Sequence, residues 1–354
     1  MRGVTPPALP GPPRPGTPRR AVTQEDVARE VGVSRTLVSF AFRGAPGVSN
    51  ETREAIFDAA QRLGYRQNAA AADLARKRPS TVGLYLLDLR NEVYADVFHG
   101  VREAFEDAPN RLILSVSPTA NSLGRAAVDS LIEARVGIVV AATLLDADAD
   151  VQELAQTVPV VNVARRVHGV DSVYSDDPAG AEAAVRHLIE LGHTRIAHLT
   201  GPPHEGHQGR RRSYERTMSD AGLPPRVVTA QDYTQEAAER AVVPLLAGGE
   251  RPTAIFAHND ELAVGAREAA YGLGLAVPDD LSLIGYDNSR ISRLHGIDLT
   301  SVDLHALELG RSAGRTALER LANPLAPAVD LKSSPRLVVR GSTAAPPEVR
   351  KDRP

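Results

Sequence analysis

The 354-residue chain contains no cysteine, which excludes a disulfide framework and any thiolate-ligated zinc and fits a reducing compartment. No apolar run approaches the ~20 residues that a membrane span needs. No apolar h-region of a secretory signal stands at the N-terminus, so a cytoplasmic protein with no membrane partner is expected. Charge of one sign is lacking too: 41 Lys and Arg stand against 44 Asp and Glu, for a net charge of -3. Any nucleic-acid contact must therefore come from locally placed Arg and Lys. Chemical motifs are equally scarce. No Gly-x-Gly-x-x-Gly follows the first strand of the core, and Gly201-Pro202-Pro203 lacks the Lys and Ser/Thr of a phosphate loop. His204, Glu205 and His207 lack the i, i+4 spacing of a helical metal site and sit in a Gly/Pro loop. His193 and His198 flank a strand and read as structural, and no nucleophile has a base at supporting spacing. Neither catalysis nor a cofactor is expected.

What is present is organised around the stretch from Thr23 to Asn68. Thr23 stands as an N-cap with Asp26 three residues on, a carboxylate variant of the capping box. Val27, Ala28 and Val31 follow at helical spacing, and Gly32 stops the helix. Ser34 then caps a second helix after an abrupt turn, the spacing of a helix-turn-helix whose second helix lies in the DNA major groove. At 100° per residue, Leu37, Val38, Ala41 and Phe42 form a core stripe; Arg35, Thr36, Ser39, Phe40 and Arg43 form the opposite, reading face. A third helix follows, and then AAAADLARKRP, with Asn68 as N-cap and Pro79 as stop. This last piece reads either as an Ala-rich linker or as a hinge helix that folds on DNA and inserts Leu74 into the minor groove.

VTQEDVAREVGVSRTLVS and VSNETREAIFDAAQRLGYRQNAAAADLA together resemble the N-terminal signature of the LacI-type (lactose and galactose repressor) transcription factors, and the resemblance runs from Val22 to about Thr343. Three positions depart from it: Phe40 where the family usually has Arg, Arg43 where it has Asn, and Gln67 where it has Pro. The first two lie on the reading face, so the family's base contacts do not carry over there. The resemblance implies a homodimer that binds double-stranded DNA at an inverted-repeat operator and answers to a small-molecule effector. A two-fold dimer mirrors a two-fold half-site pair, with Leu74 of each copy meeting at the centre.

From Thr81 the period changes. VGLYLLDL, LILSV, GIVVAA, VPVVNVA, RIAHLTG, TAIFAHND and SLIGYDN read as strands, alternating with helical stretches such as YADVFHGVREAFEDA, DPAGAEAAVRHLIELGH and DELAVGAREAAYGLGL. Such alternation means βαβ units and mostly parallel sheets, too many strands for one small sheet. The expected fold is thus an all-α helix-turn-helix domain followed by an α/β core of two Rossmann-like lobes; the resemblance implies a periplasmic-binding-protein-like core. Residues 1–21 read as a disordered Pro/Arg-rich extension, 22–67 as the DNA-binding domain and 68–79 as the hinge. The core spans 80–344, with one lobe at about 80–175 and 303–335 and the other at about 176–302 and 336–344; 345–354 form a disordered tail. By the resemblance the chain crosses between lobes near Ser175, Asp303 and Arg336, with LVVRGST as last strand and crossover. The tail after Ala344 has no leucine heptads for a tetramer-forming coil.

Ligands bind beyond the carboxyl ends of strands in open parallel sheets. Those ends are Asp88 to Asn91, Arg165 with Arg166, the loop after Leu199, Asn259 with Asp260, and Asp287 with Asn288. Asp260 reads as the cap of the helix that follows it. The resemblance then implies ligand contacts at Arg210 in GPPHEGHQGRRRSY, Asn259 in AHNDELAVGA, Asp287 in GYDN and a stacking ring at Tyr233 in QDYT. RNEVYADV stands for the family's N-P-F-F, keeping Asn91 and Tyr94 and departing at Glu92 and Val93. Arg210 and Asp287 are expected from one lobe, with Asn91 or Arg165 answering from the other. An Arg, an Asp and an aromatic face suit a polyol or a heterocycle, sugar-like or nucleobase-like, without choosing between them. A ligand-responsive regulator, most often a repressor in this family, is the leading reading. A solute-binding protein and an enzyme on the same core are the alternatives; the helix-turn-helix and the missing signal argue against the first, the missing catalytic pair against the second.

Overall fold

The computed structural model describes residues 22–66, 81–117, 124–202 and 208–347. The extension at 1–21, Gln67, the hinge segment with Asn68 and Leu74, the stretch with His204, Glu205 and His207, and the tail from 348 on lie outside the described residues. The chain divides into two units, residues 1–77 and 78–354.

In the first unit, α1 (Gln24–Val31) is held by its cap: the Thr23 hydroxyl accepts from the Asp26 backbone N–H while the Thr23 backbone N–H donates to Asp26 Oδ2 at 2.9 Å. Gly32 closes it at φ 76°, a left-handed conformation that glycine adopts without strain. Ser34 caps α2 (Arg35–Phe42) by accepting from the Leu37 N–H, and Ser49 caps α3 (Asn50–Leu63) in the same way from Thr52. Val27, Ala28, Val38, Ala41, Ile56, Ala59 and Ala60 form the core, with Phe42 and Tyr65 packed on it. Leu37, counted on the core stripe, is half-buried and outside this core. The stripe is centred between Val38 and Ala41, which leaves Leu37 and Phe42 each about 70° off its axis. Phe42 is long enough to reach inward, with ring centroids 5.2 Å from Phe57 and 5.3 Å from Tyr65; Leu37 is not.

The second unit carries two six-stranded sheets. The first is ordered β11-β5-β4-β3-β1-β2 and is parallel throughout. Its strands are β1 (Thr81–Leu86), β2 (Arg111–Val116), β3 (Ile138–Ala142), β4 (Val160–Val163), β5 (Asp171–Ser175) and the late-returning β11 (Asp330–Ser333). The second is ordered β12-β10-β9-β8-β6-β7, with β12 antiparallel to β10. Its strands are β6 (Ile196–Thr200), β7 (Arg226–Thr229), β8 (Ala254–Ala257), β9 (Ser282–Tyr286), β10 (Thr300–Asp303) and β12 (Arg336–Val338). The last strand is shorter than LVVRGST: past Val338 the chain bonds through side chains and single carbonyls, as where the Leu283 N–H donates to Ser342 O. The short strands β5, β7, β10 and β11 have no long apolar run and were not among those expected.

Helices cover both faces of each sheet, which is why the strands are apolar on both sides. On β1, Val82, Leu84 and Leu86 point one way, toward α4 (Val93–Ala104) and α11 (Ala306–Ala322). Tyr85 points the other way, toward α5 (Arg125–Glu133) and α6 (Asp148–Thr157). Around the second sheet, α7 (Asp177–Glu190) and α8 (Gln208–Asp220) take one face, α9 (Gln235–Ala247) and α10 (Asp260–Gly272) the other. The α4–α11 crossing is closed by glycines, since a Cβ at Gly100 would collide with the Leu307 carbonyl and one at Gly310 with the Val97 carbonyl. The chain passes between the sheets three times: from β5 into α7, from β10 into α11, and from β11 to β12. In each sheet the strand order reverses at one place, between β1 and β3 and between β6 and β8, where a crevice opens at the carboxyl ends.

Candidate functional site

Two regions collect the residues singled out from the sequence. On α2, Arg35, Thr36 and Arg43 are exposed, Ser39 and Phe40 half-buried. The hydroxyls of Ser34 and Thr23 are engaged as caps. Arg43 and Phe40 form one object: the guanidinium lies 5.2 Å from the Phe40 ring centroid, and Arg43 Nε donates to the Ser39 carbonyl at 3.1 Å. Arg53 of α3 donates to the carbonyls of Ala41 and Ala45, each at 3.3 Å, and so fastens the end of α2. A short helix thereby presents three separate cationic or hydroxyl groups from a fixed backbone.

In the second unit a cavity of about 410 Å³ opens at the two strand-order reversals. Leu87, Asp88, Arg90 and Asn91 line it from the end of β1, Thr143 from β3, Ala164 from β4, His258 and Asn259 from β8, and Asp287 from β9. Four non-glycine residues at these ends hold left-handed φ: Thr143 at 64°, Ala164 at 104°, Asp287 at 101° and Asn288 at 49°. Strain of this kind, about 1–3 kcal/mol per residue, persists where the surroundings dictate it, and it gathers at binding sites.

Asp287 is the centre. It is buried, and Asn91 Nδ2, from the end of the other sheet, donates to its Oδ2 at 3.0 Å. Arg210 of α8 approaches its Oδ1 at 3.5 Å, donates to Asp177 Oδ2 at 3.0 Å and to the His258 carbonyl at 2.6 Å, and lies 3.6 Å over the Tyr286 ring. Burial raises the Asp287 pKa to about 6, against the pull of Arg210 and the Asn91 hydrogen bond. Arg210 loses hydration by burial, but Asp177 and Asp287 hold its charge more firmly than usual. Tyr94 is buried with its hydroxyl bonded to Thr143, and burial raises its pKa. Tyr233 shows its ring to the cavity; its hydroxyl donates to the Pro202 carbonyl at 3.1 Å and burial raises its pKa to about 12.

Six of the seven ligand-site residues expected from the sequence, Asn91, Tyr94, Arg210, Tyr233, Asn259 and Asp287, line this one cavity. Arg165 does not. The positive φ of Ala164 turns the chain so that Ala164 meets the cavity, while the Arg165 guanidinium pairs with Asp148 and donates to the Asp146 carbonyl. The capping expectation for Asp260 also fails: Asn259 is the cap, accepting from the Leu262 N–H at 2.9 Å. Asp260 instead sits fully buried, accepting from Ser289 N and Oγ and from Ser301 Oγ. Burial first, then neighbouring Asp287, raises its pKa to about 7. Reading the sequence placed Arg90 only within the strand end from Asp88 to Asn91 and missed Ser175, Asp177, Glu236 and Glu261, which also line the cavity. Asp177 and Glu236 stand in the first turns of α7 and α9, where acids are common, and Ser175 reads from the sequence only as a crossover residue.

Among the described residues no cluster of three or more His, Asp or Glu is arranged to hold a metal ion, and no helix is long and apolar enough to cross a membrane. A family model for bacterial regulatory proteins of the lacI family matches residues 23–68, and one for a periplasmic binding protein-like domain matches residues 185–343. The chain is 35% identical to catabolite control protein A of Priestia megaterium over 301 residues, 83% of this chain and 91% of that protein. It is 31% identical to the HTH-type transcriptional regulator GalR of Escherichia coli K12 over 330 residues, 92% and 96% of the two. Among solved structures, the lac repressor dimer bound to operator and the anti-inducer ONPF is similar at a TM-score of 0.80 and 26% identity, over 92% of this chain and 100% of that one.

Proposed function

This chain belongs to the lacI family of bacterial regulatory proteins, and from that premise we propose that it is a cytoplasmic homodimeric repressor whose hold on an inverted-repeat operator is set by a small molecule in the cleft. The regulator reading follows from the family. The residue assignments are our own: Thr23, Ser34, Arg35, Thr36, Ser39, Phe40 and Arg43 contact the DNA, and residues 68–79 supply the hinge, from which Asn68 and Leu74 contact it. The division of the chain into 22–67, 68–79 and a core of 80–344 belongs to the same proposal. We read the core as a binder and not a catalyst.

The observation that carries the effector reading is the Asn91–Asp287 hydrogen bond, which joins the carboxyl ends of the two sheets inside the cavity. A ligand that exchanges bonds with this pair acts on both lobes at once and so shifts their spacing. Coupling of roughly 1–3 kcal/mol between effector and operator follows, with the same factor in both directions. The test is operator affinity, measured by fluorescence anisotropy on an operator selected from random DNA, with and without sugars and nucleobases. A compound that changes operator affinity, and whose own affinity changes by the same factor when operator is present, supports the reading. Binding to DNA as a monomer, or a compound that binds the protein with no effect on operator affinity, removes it.

A further inference from the structure

We propose that the cleft accepts a polyhydroxyl ligand without any anionic group, so that an amine in place of a hydroxyl is favoured and a phosphate or carboxylate is rejected; this rests on the effector reading above. Among the described residues lining the cavity, five are carboxylic acids and two are arginines, with no lysine. Both arginines are already engaged. Arg90 Nη2 donates to Asp88 Oδ2 at 3.0 Å, and Arg210 lies between Asp177 and Asp287. Among the described residues neither Glu236 nor Glu261 forms an ion pair, although Glu236 adds to the field that holds the charge of Arg90; Glu261 Oε2 accepts an amide hydrogen bond from Gln235 at 2.6 Å. Among these residues an incoming phosphate therefore meets no free cation and two carboxylates with no direct cation on them.

Three of the helix N-termini around the cavity give the same answer; among the others, α4 has no side-chain cap and α8, which carries Arg210, has no acid in its first turn. Such ends are the usual seat of a bound anion because their backbone N–H groups are unpaired. Here those of α7, α9 and α10 are capped by Asp176, Thr234 and Asn259, and each carries its own acid in the first turn: Asp177, Glu236, and Asp260 with Glu261. Acids also face one another across the cleft. Burial raises the Glu261 pKa, and Glu92 and Asp88 from the opposite lobe add to it with Glu236. Closing the lobes thus brings like charges together, which a ligand cation relieves and an anion aggravates. Inside, Ser175 Oγ at the end of β5 is buried, lines the cavity and has no hydrogen-bond partner among the described residues, a place for a ligand hydroxyl.

The experiment uses the full-length protein and a panel of pentoses, hexoses and disaccharides, each beside its amino, phosphate and uronate forms. Thermal shift screens the panel and titration calorimetry ranks what binds. The uncharged form of the preferred sugar is expected to bind at least about tenfold more tightly than its phosphate or uronate, with the amino form equal or tighter. In the Glu236→Gln, Glu261→Gln double variant that gap should close to within about threefold. A phosphate or uronate that binds as tightly as its uncharged parent overturns the inference and leaves the effector reading standing, as does a gap unaltered in the double variant. Absence of binding by every form overturns the inference and leaves the effector reading to the nucleobases; absence of binding by those as well overturns the effector reading itself.

Discussion

The two regions that carry function in this chain are built in opposite ways. On α2 the backbone is fixed by caps three residues away, and Arg35, Thr36 and Arg43 stand exposed. In the cleft the central polar groups are held from far along the sequence: Asn91 by Asp287 across 196 residues, Arg210 by Asp177 across 33, Asp260 by Ser301 across 41. A polyanion with its phosphates on the outside is met by side chains free to adjust, at a surface that stays wet. A small ligand must be enclosed, and buried polar groups have to be satisfied before it arrives or they destabilise the fold. Local order suits the first task and long-range order the second.

The sharpest way to break the comparison is to remove local order from the helical unit. Ile56 is fully buried in a core of seven residues. Ile56→Ala should destabilise that unit by about 2–4 kcal/mol, most of what so small a core supplies. Operator binding should vanish while the melting transition of the two-sheet unit stays in place, as read by circular dichroism and calorimetry. A matching fall in that second transition would mean that the units do not fold independently.

Next in size is the centre of the cleft. Asp287→Ala removes the acceptor of Asn91 and one of two carboxylates on Arg210, and should weaken effector binding by about 2–4 kcal/mol. Operator affinity without effector should stay nearly intact. Asp287→Asn keeps an acceptor for Asn91 and should fall between the two. An effector that stabilises wild type and Asp287→Ala equally would place its site elsewhere.

How much of this was legible in the sequence follows the same division. The caps Thr23, Ser34 and Gly32 and the core stripe are functions of spacing within a few residues, and Leu37 was misjudged, at the margin of the stripe. Strand-end chemistry gave Asn91, Asn259 and Asp287 because strands end where polarity begins; Tyr94, Arg210 and Tyr233 came from the family resemblance. Strand-end reasoning failed at Arg165 and Asp260. The direction of Arg165 depends on the backbone torsion of Ala164, and the burial of Asp260 depends on Ser289 and Ser301, which no local pattern announces. The strands β5, β7, β10 and β11 escaped for a related reason: they are short and take their identity from the neighbours they pair with.

A third, smaller effect separates the regions by pH. Asp260 and Asp287 have folded pKa values raised to about 7 and about 6 from 3.8. Between about pH 4 and 7 the native state keeps protons that the unfolded chain has released, so their contribution to stability is lost as pH rises through the folded values. From pH 5 to 8 these two acids should take on the order of 4 kcal/mol from the two-sheet unit. Buried His198, its pKa lowered to about 4, and His187, lowered as well, offset about half of that between about pH 5 and 6.5. Asp260→Asn, an amide in place of the protonated acid, should lose less. Asp176 and Glu308, whose pKa values are lowered by hydrogen bonds from Lys332 and Arg315, act in the opposite sense at lower pH, outside that window. Equal slopes for wild type and Asp260→Asn would show that Asp260 is ionised throughout.

On α2 the expected effect is smaller still and concerns choice of sequence. Arg43 over the Phe40 ring is a coupled pair, and a double-mutant cycle of Phe40→Ala with Arg43→Ala should give about 0.5–1 kcal/mol of coupling in operator affinity. Phe40→Arg should shift the consensus selected from random DNA at the base pair nearest Phe40. An unchanged consensus would make Phe40 a packing residue that reads nothing.

The smallest effect is the one that best marks the limit of strand-end reasoning. Arg165 stands at the carboxyl end of β4, where an open parallel sheet usually offers a ligand contact, yet its guanidinium is held by Asp148 at the start of α6 and by the Asp146 carbonyl. Arg165→Ala should therefore leave effector affinity within about twofold of wild type. Its consequence should appear in stability instead, as a loss of about 1 kcal/mol from a half-exposed ion pair and one charged hydrogen bond. Asn91→Ala, a residue of the same lobe that does line the cleft, is the control and should weaken the effector several times more. If Arg165→Ala and Asn91→Ala cost the effector equally, then the side chain swings into the cleft when ligand binds, and the pairing with Asp148 describes only one of two positions.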